Sequence, residues 1–452
     1  MKIELRDIAL PDFGLSETEP DIPMELYVER CERAYQAATC DWLVVYGDRE
    51  HYANVAYLTG FDPRFEETVL LLGPADARLL LVGNEGWGYT SMARLKVDVV
   101  LCQSFSLMGQ DRSVAPRLSN VLQDAGIRRG QRVALVGWKY LEPEEMADGR
   151  SGFFAPAVLV DNLRGLVGDP DAVTDATWVL MHPTRGLRAH NEVEQIVAFE
   201  WAAARATLAV SRVVRGVQPG MTELQAMANM GFDGKPLSVH VMFASDQDVI
   251  VGLRSPTTRR IERGDGVTTA IGFWGGLGSR AGIVQEVDDA FLHKAAIPYF
   301  RGLATWYQSV GLGVAGGTIF ERVSDALAEG GLRSLLNPGH LTSLDEWMHT
   351  PVRPGCGEQI ASGMAVQCDI IPTPMPRGWA INCEDPVVFA NERLRGELEQ
   401  RYPNVWSRIR ARQEFMRRLL GLQIGEDVLP LSSTPAYLAP LWLSSSHVLT
   451  LT

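Results

Sequence analysis

The chain has 452 residues, of which 46% are hydrophobic and 21% charged, and a formal net charge of −13 at pH 7. No apolar run approaches the roughly 20 residues of a bilayer span, and no block of basic residues offsets the acidic balance. These features argue against a membrane-spanning protein and against a nucleic-acid partner.

A chain of this length predicts two domains. The opening residues 1–14 are interrupted by charge and do not read as a secretory signal, so a cytoplasmic location is expected. Short apolar runs at 41–48, 69–73, 77–83, 97–103 and 132–138 close on Gly, Asp or Asn and alternate with helical stretches such as 113–126. That alternation predicts an α/β domain with a partly parallel sheet over 1–185. A long helical pattern then runs from about Asn191 to about Val217, Pro219 and Gly220 stop it, and Thr222 caps the next helix. From there the chain becomes strand-rich, at 267–276, 364–374 and 386–390, and a second domain is expected over 186–452. Arginines spaced through an apolar pattern at 401–420 predict an amphipathic helical extension with a solvated basic face. Six cysteines, at 31, 40, 102, 356, 368 and 383, lack CxxC spacing and are expected to be reduced.

Five passages occur in a fixed order: LRAHNEVEQIVAFEWAAARAT (187–207), VQPGMTEL (217–224), RSPTTRRIERGD (254–265), PGH (338–340), and SGMAVQCDIIPTP with INCEDPVVF (362–374 and 381–389). Together they resemble the aminopeptidase P, prolidase and creatinase group, the pita-bread hydrolases, over most of the chain. The resemblance implies an α/β creatinase-like N-terminal domain followed by an α+β pita-bread catalytic domain, and a homodimer. In the metallopeptidases of that group two Asp, one His and two Glu hold two divalent ions that activate water and polarise the scissile carbonyl. Matched onto this chain, the ligand frame retains His340, Asp369 (shortened from Glu) and Glu384, whereas Ala270 stands at the first aspartate and Arg280 and Ala281 stand near the second.

Removing two carboxylates and adding a guanidinium changes the local formal charge by about +3 if Arg280 faces inward. On this count two ions are not expected. His340, Asp369 and Glu384 are the candidate catalytic residues, with His340 as the proton-transfer group. They are also the donors of a single Mn, Zn or Fe ion, should one bind. Arg280 is expected to pair with Glu384 or Asp369, to clamp a substrate carboxylate, or to point to solvent from a strand edge. Arg254 stands near the place of a family histidine and is expected to bind an anionic group or to anchor its loop. His240, Asp345, Glu346 and Trp347 are further candidate substrate contacts, Trp347 standing where the peptidases keep a second histidine. In the N-terminal domain, Arg64 and Glu67 lie in the turn FDPRFEE, which the resemblance directs toward a partner subunit's site.

The leading expectation is a metal-independent hydrolase of an amide, amidine or guanidino C–N bond in a small polar metabolite, as creatinase and ectoine hydrolase are on this fold. The alternatives are a single-metal Xaa-Pro aminopeptidase-like enzyme and a non-catalytic binding protein. Clustering of Arg254 and Arg280 with His340, Asp369 and Glu384 would favour the first.

Overall fold

The computed structural model describes residues 2–146, 152–346 and 348–452. The chain divides into two compact units, Ile22–Ala189 and a second that combines the segment ending at Asp21 with His190–Thr452. The division expected at 185/186 thus falls at 189/190, and the opening segment, expected in the first domain, joins the second. Strand β1 (Ile3–Asp7) pairs antiparallel with the last strand, His447–Leu451. Sequence patterns report local structure, and this pairing joins the two ends of the chain.

The unit Ile22–Ala189 is built on β2 (Trp42–Gly47), β3 (Thr68–Gly73), β4 (Ala77–Val82), β5 (Asp98–Leu101), β6 (Val133–Val136) and β7 (Val173–Asp175). They lie in the order β5-β4-β3-β2-β6-β7. Strand β2 runs parallel to β6 and antiparallel to β3. Every residue of β2 and β3 is buried, as expected of strands covered on both faces. Helices Leu118–Ala125 and Ala157–Val167 contribute Leu122 and Leu163 to a core shared with Val44, Leu71 and Leu135.

The second unit begins its main body with a helix, Val193–Gly216, followed by Glu223–Ala228. Thr222 caps the latter through a reciprocal box with Gln225. The strands are β8 (Leu237–Asp246), β9 (Gly266–Phe273), β10 (Gly276–Ile283), β11 (Arg333–Ser334), β12 (His340–Leu341), β13 (Ala365–Cys368), β14 (Pro372–Thr373), β15 (Asn382–Phe389) and β16 (Val428–Pro430). Seven of them form one sheet in the order β12-β13-β15-β10-β9-β8, with β16 added to β15.

Register decides which side chains share a face. Ser279 on β10 lies opposite Ala270 on one side and Glu384 on the other. Cys368 lies opposite Asp385, which carries Asp369, one residue beyond β13, level with Glu384. Because side chains alternate along a strand, Ala270, Ser279, Glu384 and Asp369 form a row on one face, and Arg280, Cys383 and Asp385 point to the other. The long helix covers that other face. It approaches so closely that a Cβ on Gly276 would lie 2.5 Å from the Ala203 backbone, a contact only glycine permits.

The C-terminal stretch forms two helices, Glu392–Arg401 and Pro403–Arg418. Its expected solvated basic face needs correction at Arg412, which is fully buried and lies 2.7 Å from Glu200 of the long helix. Arg408 donates to both oxygens of the same Glu200, at 2.9 and 2.6 Å. A fully buried carboxylate requires such partners. Among the described residues no helix is long and apolar enough to cross a membrane.

Candidate active site

His340 opens β12, and its ring is oriented by a hydrogen bond between Nδ1 and the Leu341 carbonyl, 3.2 Å away. If Nδ1 carries the proton for that bond, Nε2 presents a lone pair. It presents it to carboxylates: Nε2 lies 3.7 Å from Glu346 Oε1 and 3.9 Å from Asp369 Oδ2. Neither separation is a hydrogen bond. A lone pair facing two carboxylates is stable only with a proton or cation between them.

Glu384 completes the group. Asn382 donates through Nδ2 to Glu384 Oε1 at 2.9 Å, and the Glu384 carboxyl lies close enough to that of Asp369 to share a proton. Glu384 keeps some solvent access along its surface, yet its carboxyl is set among protein atoms. Burial, followed by the charge of Asp369, raises its pKa well above the usual carboxylate range. Glu346 is raised likewise, first by burial and then by Asp369 and Asp345. Both oxygens of Glu346 and Oδ1 of Asp369 are buried with no hydrogen-bond partner. No Lys or Arg pairs with Glu346, Asp369 or Glu384 among the described residues.

The expected substrate contacts of both arginines are corrected, and for Arg254 the loop-anchoring alternative holds. Arg280 turns away from the row and is buried against Asp385, its Nη2 2.9 Å from each carboxylate oxygen. Its other donors reach the carbonyls of Ser279, Glu384, Thr434 and Tyr437. Arg254 forms a two-pronged pair with Glu223, 2.6 Å for each nitrogen, and anchors its loop. His240 is exposed and bonds the Leu253 carbonyl at 2.9 Å. Asp345 is close enough to act on Glu346 through its charge. Arg64 and Glu67 are exposed in the first unit, Arg64 paired with Asp62 at 2.6 Å. Trp347 lies outside the described residues.

The sheet register identifies two residues that sequence reasoning passed over. Ser279, rather than Arg280, is level with Ala270 and Glu384, and Asn382 shares the face of Glu384 two residues on. Strand alternation counted back from Glu384 was the available signal for Asn382. Ala270 belongs to a small apolar cluster with Val239, Met242 and Leu277, so the first aspartate's place is occupied by hydrocarbon packing. An open groove of about 420 Å³ elsewhere in this unit, lined by residues including Phe13, Arg408 and Phe415, shares no residue with the acidic group.

The donors suit a metal in kind. Buried, unpartnered carboxylate oxygens and an imidazole held by a backbone carbonyl are what one hard or intermediate divalent ion takes. They are spread wider than an ion requires. Among the described residues no three His, Cys, Asp or Glu side chains are gathered tightly enough to cage one as they stand, and bond lengths of about 2.0–2.3 Å would draw them inward.

No protein-family model matches the sequence, and no curated protein matches it either. Solved structures do. Dipeptidase PepE from Mycobacterium ulcerans aligns with TM-score 0.59 at 19% identity, over 83% of this chain and 95% of its own. The prolidase from Thermococcus sibiricus gives 0.63 at 15%, over 82% and 95%, and the X-Pro aminopeptidase from Thermotoga maritima gives 0.59 at 16%, over 80% and 96%. The chain therefore has the two-domain pita-bread fold of these peptidases, with His340, Glu346, Asp369 and Glu384 gathered on and beside its central sheet.

Proposed function

We propose that the chain is a hydrolase of a C–N bond of the Xaa-Pro peptidase kind, working with a single divalent ion at His340, Asp369 and Glu384. The observation that carries this reading is His340, held through Nδ1 by the Leu341 carbonyl with Nε2 facing the carboxyls of Glu346 and Asp369, beside which no Lys or Arg stands among the described residues. The metal-independent metabolite hydrolase loses its main support, because Arg254 and Arg280 are committed to Glu223 and Asp385. The solved structures with this fold bear the names prolidase, dipeptidase and X-Pro aminopeptidase, which favours a peptide substrate.

When bound, such an ion supplies a Lewis acid that activates water and polarises a carbonyl. The chain's residues do the rest. His340 is held by the Leu341 carbonyl with Nε2 toward the site. Asn382 fixes one oxygen of Glu384. Burial, then the charge of Asp369, raises the Glu384 pKa, so its carboxyl gives up a proton when it takes the ion. Exposed Arg64 and Glu67 are assigned to the rim of a homodimer's site, in line with the turn they occupy.

The test is hydrolysis of a panel of Xaa-Pro dipeptides. Turnover lost in chelator and restored by Mn²⁺ supports the proposal. Turnover of amidine or N-acyl metabolites that persists in chelator would replace it with the metal-independent reading.

A further inference from the structure

We propose that the groove beside the C-terminal helix binds a small carboxylic acid with an apolar body, in its ionised form. Its residues share nothing with the acidic group around His340. On helix Pro403–Arg418 the residues Arg408, Ala411, Phe415 and Arg418 recur at three- and four-residue spacing and so lie on one face. That face and the opening segment at Pro11, Asp12 and Phe13 border about 420 Å³, a volume in the range of small-molecule sites. Phe13 meets Phe415 edge to face with ring centroids 5.7 Å apart. Pro11, Ala411 and the 40% exposed Leu419 extend the apolar wall.

What lies beneath that wall sets the ligand's charge. Glu200 is fully buried and is shared by two guanidiniums, Arg408 through Nε and Nη2 at 2.9 and 2.6 Å and Arg412 through Nη2 at 2.7 Å. Two positive charges thus face one negative charge, and among the described residues neither guanidinium reaches a second carboxylate. Arg412 is fully buried, 5.9 Å from the Phe13 ring. Burial, with the like charge of Arg408, holds its pKa below the ordinary value despite Glu200. A buried excess of positive charge is costly until an anion joins it. Arg408 is the member that can receive one: it lines the groove, its side chain is 13% exposed, and its Nη1 meets no acceptor among the described residues. The groove's own carboxylates do not fill that role. Asp12 is exposed and accepts the Gly14 amide at 2.8 Å, and Glu414 pairs with Arg418 at 2.8 Å. A single excess charge calls for a monoanion, which a carboxylate is at neutral pH and a phosphate monoester is not. An apolar body attached to it is what the aromatic wall takes out of water.

The experiment is calorimetric titration of the full chain at pH 7 with sodium octanoate and, separately, with 1-octanol, which has the same apolar length and no charge. Wild type is expected to bind one octanoate with a Kd below about 1 mM, and to bind 1-octanol about tenfold or more weakly. Arg408→Gln leaves Glu200 and Arg412 as a neutral pair and is expected to lose that preference. Ala411→Trp, at an exposed position, fills the groove and is expected to lose both probes. If Arg408→Gln fails to fold, the comparison of probes on wild type and on Ala411→Trp still decides. Octanoate bound by wild type no better than 1-octanol overturns the proposal. Octanoate binding that is unchanged in Ala411→Trp places the probe elsewhere and overturns it too, as does a wild type that binds no octanoate.

Discussion

Arg280 and Asp385 form a buried pair in which Nη2 lies 2.9 Å from both carboxylate oxygens, on the face of the sheet opposite Glu384. The two are 4% and 1% exposed. Burial works against the guanidinium's charge, and Asp385 more than offsets it, holding the Arg280 pKa above its ordinary value. Asp385 also accepts the Ala436 amide at 2.9 Å, so the pair ties β10 and β15 to the segment after β16. Asp385→Asn is expected to destabilise the chain by about 3–5 kcal/mol in denaturant unfolding, because it leaves a buried guanidinium unpaired. Replacing both residues by apolar ones of similar volume is expected to recover a large part of that loss.

Glu223 makes a pH-dependent contribution whose sign is defined. Burial alone would raise its pKa; hydrogen bonds from Arg254, Ser245 and Thr257 overcome burial and hold it at about 2. A carboxylate with a depressed folded-state pKa stabilises fully above its unfolded value and loses that contribution as pH falls through the folded one. Glu223→Gln is therefore expected to be less stable than wild type at pH 7, by about 3 kcal/mol. The gap should close as pH falls from about 4.5 toward 2. Urea midpoints of both proteins across that range check it, and a gap independent of pH would contradict it.

Ala270 sits with Val239, Met242 and Leu277. Ala270→Asp restores in sequence a carboxylate at the first aspartate's place, yet puts it into hydrocarbon. In chelator it is expected to cost about 2–4 kcal/mol, measured by thermal or urea unfolding. An unchanged midpoint would show that the place is open to solvent.

His340→Gln keeps a polar side chain where the ring bonds to its own neighbour's carbonyl. It is expected to leave the melting temperature nearly unchanged and to lower kcat/KM on an Xaa-Pro dipeptide by about 10²–10⁴-fold. Full activity in this variant would remove His340 from the chemistry.

The order of landmarks carried the fold, because each motif is local and their succession is hard to produce otherwise. The helix from Val193 and its stop at Pro219 were legible for the same reason: periodicity and capping are short-range signals. What the sequence hid was partnership at a distance. Arg280 meets Asp385 and Arg254 meets Glu223 only after the sheet and its loops are assembled, so both arginines looked available for substrate. Ser279 was overlooked because the hairpin between β9 and β10 fixes the register, and a shift of one residue exchanges the two faces. Glu346 was visible as a polar residue near His340, but its burial without partners is a property of the folded loop.

The most direct test is a Mn²⁺ titration of the chelator-stripped protein, with hydrolysis of an Xaa-Pro dipeptide measured at each addition. The account expects no turnover without the ion and a rate that reaches its plateau at one equivalent per chain. A plateau at two equivalents, or full turnover in chelator, would contradict a single ion held by His340, Asp369 and Glu384.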